Sequence, residues 1–163
     1  MPMLLHYGQT LWQRFFGLNV SQIDPLLFVG GQFEPHEWAQ LYARGIRAVL
    51  SLQAERADRF TDPLPTQALR LLVPDYHAPT LDQLVTAVAF IAAAHTNGLP
   101  VLVHCHAGVG RAPTTAAAFL VAQQALTHRD ALERIRTARP IMRINPEQRA
   151  RLCEWEQAIR SAQ

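Results

Sequence analysis

Apolar and polar positions divide this chain into short apolar runs that alternate with longer stripes at helical spacing. Leu4, Leu5, Leu11, Trp12, Phe15 and Phe16 form a loose helical stripe across Met1 to Leu18. Val20 to Ile23 and Leu26 to Val29 read as short strands, with Asp24-Pro25 as the turn between them. Glu34 to Ala43 reads as a helix stopped by Gly45, and Ala48 to Leu52 as a buried strand. The polar, proline-containing stretch from Ala54 to Thr66 predicts a surface loop, followed by a strand over Leu69 to Val73. Thr80 then caps a helix running to about His95, with Leu84, Val88 and Ile91 on its apolar face. After Gly98-Leu99-Pro100 comes the strand Val101 to Val103. Three helices are expected to close the chain, over Thr114 to Leu126, Arg129 to Ala138 and Pro146 to Ser161. The last has Asn145 as N-cap and Pro146 at the first helical position. Strands alternating with helices predict an α/β fold: a central, mostly parallel sheet flanked by helices, with the functional loop at the carboxyl end of a strand. No repeat, low-complexity tract or linker breaks the pattern, so residues 1–163 are expected to form one domain, with 1–18 as a helical extension.

Size and composition narrow the class. A chain of 163 residues, 49% hydrophobic, is able to bury a real core. No apolar run approaches the roughly 20 residues of a membrane span, and the N-terminus lacks the basic region and cleavage site of a signal peptide. The two cysteines, Cys105 and Cys153, argue against a disulfide framework and for a reducing, cytoplasmic setting. A net charge of +2 is too small to argue for nucleic acid. All basic residues besides histidine are arginine, which reads as composition bias, because the arginines are spread along the whole chain. The N-terminal stripe is expected to pack on the domain's outer face; a membrane-surface or partner-binding helix is the alternative. Low charge content, with Arg14 the only basic residue there, favours packing.

The chemistry lies in Val101-Leu102-Val103-His104-Cys105-His106-Ala107-Gly108-Val109-Gly110-Arg111. An apolar β-branched run ends in a cysteine, then a glycine-containing loop, then an arginine, with a helix-forming run directly after. Strand, loop and helix N-terminus follow in the order an anion site requires. Gly108 and Gly110 are expected to supply backbone conformations closed to other residues and to let the main chain approach an anion. The helix dipole and the guanidinium add positive potential, so Cys105 is expected to be held as a thiolate, a nucleophile at the floor of an oxyanion cradle.

This Cys-x5-Arg signature, preceded by His104, resembles the cysteine-dependent protein tyrosine phosphatase superfamily, and within it the small atypical dual-specificity phosphatases. Upstream, Val73-Pro74-Asp75-Tyr76-His77-Ala78-Pro79 is similar to that family's mobile general-acid loop. Downstream, Arg139-Pro140 and Ile144-Asn145-Pro146-Glu147-Gln148 resemble its segment leading into the last helix, so the likeness runs from about Ser21 to Ala158. The resemblance implies a phosphatase that works through a cysteinyl-phosphate, without metal or other cofactor. It implies Cys105 as nucleophile, Arg111 as bidentate clamp on two phosphate oxygens, and Asp75 as general acid. The backbone of His106, Ala107, Gly108, Val109, Gly110 and Arg111 would make the rest of the cradle.

Around these, His104 is expected to hydrogen-bond loop backbone, and His106 to sit at the rim. Asn145 and Gln148 are expected either to support the loop or orient water, or simply to cap a helix. Asp82 is a rival to Asp75 but lies in a helix's first turn; Asp58 and Asp62 sit in the polar loop without a partner motif. His104-Cys105-His106 makes no metal site, since neighbours in sequence project apart and no second ligand cluster exists. Cys153 reads as a semi-buried residue of the last helix. Most relatives carry Ser or Thr after the arginine; here Ala112 stands there, which implies modest turnover limited by hydrolysis of the thiophosphate. The length leaves no room for a tyrosine-clamping loop, so the expected substrates are phosphoserine, phosphothreonine and phosphotyrosine in proteins, handled by a monomer. A phosphoinositide or phosphoglucan is the alternative, and a non-catalytic phosphate-binding module or a rhodanese-like sulfurtransferase the rival of another class.

Overall fold

Alternation within the strands decides how the layers stack. In the computed structural model, which describes residues 2–162, β2 (Leu27–Gly30), β3 (Ala48–Gln53) and β5 (Val101–His104) are buried along their whole lengths. Leu27, Val29, Ala48, Leu50, Val101 and Val103 point to one side, into a core shared with the C-terminal helices. Phe28, Val49 and Leu102 point to the other, where they meet Trp38 and Leu41. Such two-sided burial is the mark of strands covered on both faces. With β1 (Val20–Asp24) and β4 (Gln67–Val73) at the edges, the sheet order is β1-β2-β5-β3-β4. Only β1 runs antiparallel; β2, β5, β3 and β4 pair in parallel. The sheet is therefore mostly parallel, as the sequence pattern predicts.

Six helices surround it among the described residues: α1 (Pro2–Phe16), α2 (Pro35–Ala43), α3 (Leu81–Thr96), α4 (Arg111–Gln124), α5 (His128–Ala138) and α6 (Pro146–Ser161). Helix α2 covers one face, its Trp38 fully buried and donating from Nε1 to the Pro63 carbonyl at 2.8 Å. On the opposite face α4 touches the sheet as well as α3, α5 and α6. Every residue of α4 from Arg111 to Val121 is buried. Its alanines, Ala112, Ala116, Ala117 and Ala118, are fully buried and let neighbouring helices and the sheet approach closely.

Boundaries differ from the sequence reading in informative places. Helix α4 begins at Arg111 rather than Thr114, since Pro113 falls in the first turn, where a missing N–H costs nothing. It ends at Gln124, not Leu126, because Ala125 adopts a left-handed conformation (φ 52°) and Thr127 caps α5. Strand β4 starts two residues earlier than Leu69. The larger correction concerns α1. Its helical span agrees, Met1 lying outside the described residues, but its apolar stripe does not pack. His6 and Thr10 face the domain, with the His6 ring 3.1 Å from the Ala138 carbonyl, and Thr10 is the only buried residue of the helix. Leu4, Leu5, Trp12, Phe15 and Phe16 are all exposed.

The close packing around α4 sets a stability test. Ala117→Leu is expected to overpack the core and lower unfolding stability by about 1–3 kcal/mol, measured by urea denaturation.

Candidate active site

Strand β5 is the lever that places the site. Its last residue, His104, is followed by Cys105, which is 3% exposed and receives its position from the Cys105 N–H to Gly30 carbonyl bond at 3.4 Å. The next five residues make the loop. Gly108 there has φ +69°, and a Cβ at that position would lie 2.4 Å from the Gly30 backbone, so both conformation and space demand glycine. Gly110 differs from the expectation. Its φ is −121°, outside the left-handed region, and a Cβ there would crowd the Gln148 side chain at 3.0 Å.

The orientation of the loop follows from where its carbonyls go. That of His106 accepts from the Gln32 N–H at 2.9 Å, and that of Val109 from the Arg143 N–H at 2.7 Å. The Ala107 carbonyl accepts from Asn19 Nδ2 (3.1 Å) and Arg139 Nη2 (3.2 Å), and the Gly108 carbonyl from Arg139 Nε at 2.6 Å. The Gly110 carbonyl accepts from Thr114, by both its N–H and its hydroxyl. Five consecutive carbonyls are thus tied outward. None of the N–H groups of residues 106–110 donates to a protein group among the described residues. Those donors, set ahead of the N-terminus of α4, make a hollow of positive potential.

Arg111 opens α4 and is almost fully buried. Glu55 meets it bidentately, at 2.8 Å on Nη1 and 2.7 Å on Nη2, and the Val73 carbonyl accepts from Nη1 at 2.8 Å. Asp75 Oδ1 stands 3.0 Å from Nη2. Burial works against the charge of Arg111, but the Glu55 hydrogen bonds and the fields of Cys105, Asp75 and Glu55 leave its pKa above the ordinary value. In return, the hydrogen bonds from Arg111 bring the Glu55 carboxyl down from 4.5 to about 2, against the opposing effect of burial. Nε of Arg111 is buried and has no hydrogen-bond partner among the described residues. A guanidinium fixed in its plane by one carboxylate, with an unused N–H, is ready for a further anion. Sequence reading missed Glu55; it offers no spacing signal, being one acid among several in a polar loop.

Asp75 lies in the turn closed by the His77 N–H to Pro74 carbonyl bond. Its side chain is half exposed, and Tyr76 after it has φ 65°. Helix α6 grips this turn from behind: Asn145 Nδ2 donates to the Tyr76 carbonyl, Gln148 Nε2 to that of His77, and Arg151 to that of Pro79. Asn145 and Gln148 also form the helix's capping box. They are therefore both caps and tethers of the Asp75 turn, and Gln148 lies against Gly110 of the Cys105–Arg111 loop as well. Asp82 sits in the first turn of α3. With Ala54, Glu55, Pro74 and His106, Asp75 rims an open cavity of about 520 Å³.

His104 is fully buried, with Asp58 at 2.8 Å from Nε2 and the Cys105 carbonyl at 3.4 Å from Nδ1. The reading of Asp58 as partnerless needs correcting: the loop from Ala54 folds back so that this acid reaches the histidine. His106 is exposed and rests 3.1 Å from Gln32 Oε1. Arg139, fully buried, adds to its two loop carbonyls contacts to Ser21 Oγ (3.1 Å) and Asn19 Oδ1 (2.5 Å). Burial brings its pKa down from 12.5 to about 10, opposed by the field of Cys105 and assisted by that of Arg14. Cys153 is half-buried in α6, away from the loop, its sulfur near Gln157.

A cysteine at a strand's end, an arginine opening the following helix and an aspartate on an opposing turn make the arrangement expected of the cysteine-dependent phosphatases. Residues 27–158 match the family model described as "Dual specificity phosphatase, catalytic domain", and the chain belongs to that family. Over 131 residues it is 37% identical to dual specificity protein phosphatase 12 of Mus musculus, covering 78% of this chain and 38% of that protein. The chain thus spans well under half the length of such relatives. Among solved structures it is similar to PTPMT1 in complex with PI(5)P, with a TM-score of 0.79 and 25% identity over 88% of this chain and 97% of that one. The fold is also that of human DUSP28, with a TM-score of 0.78 and 24% identity over 87% of this chain and 95% of that one.

The Glu55–Arg111 pair carries a pH signature. A carboxyl brought below its unfolded value stabilises the fold above about pH 4.5 and loses that contribution as pH falls towards about 2. Wild type is expected to lose thermal stability across that window more steeply than Glu55→Gln, which is less stable at neutral pH; scanning calorimetry against pH checks both.

Proposed function

We propose that this chain hydrolyses phosphate monoesters of proteins, phosphotyrosine as well as phosphoserine and phosphothreonine, through a cysteinyl-phosphate. The observation that carries this reading is the outward tethering of five consecutive loop carbonyls, those of residues 106–110, which leaves the N–H groups of the same peptides, on residues 107–111, for an anion above Cys105. Cys105 Sγ attacks phosphorus in line while the bond to the leaving oxygen breaks, and Asp75 gives that oxygen its proton. Water then attacks the thiophosphate, Asp75 takes back a proton, and inorganic phosphate leaves with the thiolate restored. Backbone N–H groups from His106 to Arg111 hold the equatorial oxygens.

Arg111 completes the clamp. Its Nε is buried without a partner among the described residues, and its Nη2 is shared by Glu55 and Asp75. In the proposed cycle a phosphate oxygen takes Nε, and a second takes the Nη2 donor from Asp75. Released from the guanidinium, the Asp75 carboxyl is free to turn to the leaving oxygen. Glu55 stays, fixing the plane of the guanidinium. A broad substrate range fits the short link of residues 17–19 between α1 and β1, too short for a tyrosine-clamping loop. We further propose a single-domain monomer in a reducing cytoplasmic setting, in keeping with two free cysteines. A phosphoinositide is the second reading, favoured by the likeness to PTPMT1, whose solved structure holds PI(5)P.

Phosphate release from phosphotyrosine and phosphothreonine peptides tests the main reading. Wild type should release phosphate from both, Cys105→Ser from neither, and Asp75→Asn should slow release by about a hundredfold. Release from PI(5)P alone would transfer the assignment to the second reading, and peptide binding without turnover would make the chain a phosphate-binding module.

Ala112 sets the second step. Thr114 and Thr115, the next hydroxyls along the chain, donate to the Gly110 and Arg111 carbonyls at 2.8 and 2.9 Å, so neither proton serves the cysteine sulfur. Ala112→Ser is expected to raise steady-state turnover several-fold and to shrink the initial burst of alcohol product, as seen in rapid-mixing kinetics. An unchanged burst would show that thiophosphate hydrolysis does not limit the wild type.

A further inference from the structure

Helix α1 is built the wrong way round for a helix that packs on its own domain. Its inward side carries His6, Gln9, Thr10 and Gln13, which face β1 and the end of α5. Its outward side carries Leu4 (77% exposed), Leu5 (75%), Trp12 (59%), Phe15 (64%) and Phe16 (76%). The three aromatic rings cluster at the helix's C-terminal end, Phe16 lying 6.3 Å from Trp12 and 6.4 Å from Phe15. Arg14 stacks over Phe15 at 5.2 Å. No acidic residue occurs before Asp24. This end of the helix is continuous with a cavity of about 340 Å³ that Arg14, Phe15 and Asn19 share with Gln32, His106 and Ala107 of the site.

We propose that α1 is an interfacial anchor, which lays its Leu/Trp/Phe face into the surface of an anionic lipid bilayer and brings the mouth of the catalytic loop against that surface. Leucine with tryptophan and phenylalanine on one face is the composition that settles at the boundary between headgroups and acyl chains. A stretch that carries Arg14 and no acid is complementary to anionic headgroups. A second copy of the chain fits less well. Two such helices meet with like charge, and a 15-residue helix is about 22 Å long, so a face about 10 Å wide falls far short of the roughly 800 Å² per partner of a stable dimer. The anchor is separate from the chemistry: it needs neither Cys105 nor a particular phosphate, so it stands or falls independently of the proposed reaction.

Cosedimentation with phosphatidylcholine vesicles, with and without phosphatidylserine, tests the anchor on the full chain. Wild type should pellet with the serine-containing vesicles, and Trp12 fluorescence should shift to the blue on their addition, since Trp38 and Trp155 are already buried. The combined Leu5→Ser, Trp12→Ser and Phe16→Ser variant should bind more than about tenfold more weakly, while keeping its thermal midpoint and its hydrolysis of the soluble ester p-nitrophenyl phosphate. Arg14→Glu should weaken binding to the anionic vesicles by about tenfold. The proposal is overturned if wild type pellets with neither vesicle, if it pellets equally with both, or if the triple variant pellets like wild type. A concentration-dependent dimer in analytical ultracentrifugation, lost in the triple variant and unaccompanied by vesicle binding, would assign the face to a second copy instead.

Discussion

A guanidinium withdrawn from water ordinarily brings a carboxylate with it, and Arg139 has none among the described residues. Its donors go to the carbonyls of Ala107 and Gly108, to Ser21 and to Asn19. Two consequences follow from that arrangement. The carbonyls it engages are turned away from the hollow of the loop, so the N–H groups of the same peptides turn inward. The charge meets no carboxylate among the described residues, and the field of Cys105 is what offsets part of the cost of its burial. The remaining tethers, from Gln32, Asn19, Arg143 and Thr114, extend the same principle along the loop.

The second arginine is treated in the opposite way. Arg111 is neutralised by Glu55 before any substrate arrives, and Asp75 leans on the same nitrogen. These acids come from two loops, one after β3 and one after β4, and the Asp75 turn is tethered in addition by Asn145 and Gln148 of α6. The loop after β3 also sends Asp58 to His104 behind the cysteine. Three separate segments therefore converge on one strand–loop–helix unit, and the acid loop is coupled through Gln148 to Gly110 of the cradle.

Much of this was legible in the sequence because it rests on local chemistry. Val101 to Val103 reads as a buried strand, the glycines and Arg111 read as an anion loop, and Asn145-Pro146 reads as the start of a helix. What was not legible depended on contacts across the chain. Glu55 and Asp58 look like ordinary acids of a surface loop, and nothing local says that the loop folds back on the site. Gly110 looks like a conformational glycine, whereas space for Gln148 is what it provides. The stripe in α1 announces a helix with an apolar side, but period alone cannot say which side meets the domain. Packing of the stripe was the natural expectation, and the contact of His6 with the Ala138 carbonyl and the burial of Thr10 hold the helix instead.

Helix α4 adds a thermodynamic consequence. It is buried without a break from Arg111 to Val121, so its first turn, which carries the arginine of the cradle, has no solvent-facing end that can fray. Opening the cradle then means dissolving the helix at the centre of the molecule, and the local and global unfolding of this region become one event. Any oxyanion that settles over Cys105 is thereby linked to the whole folding equilibrium, and its full binding free energy appears as added stability of the protein.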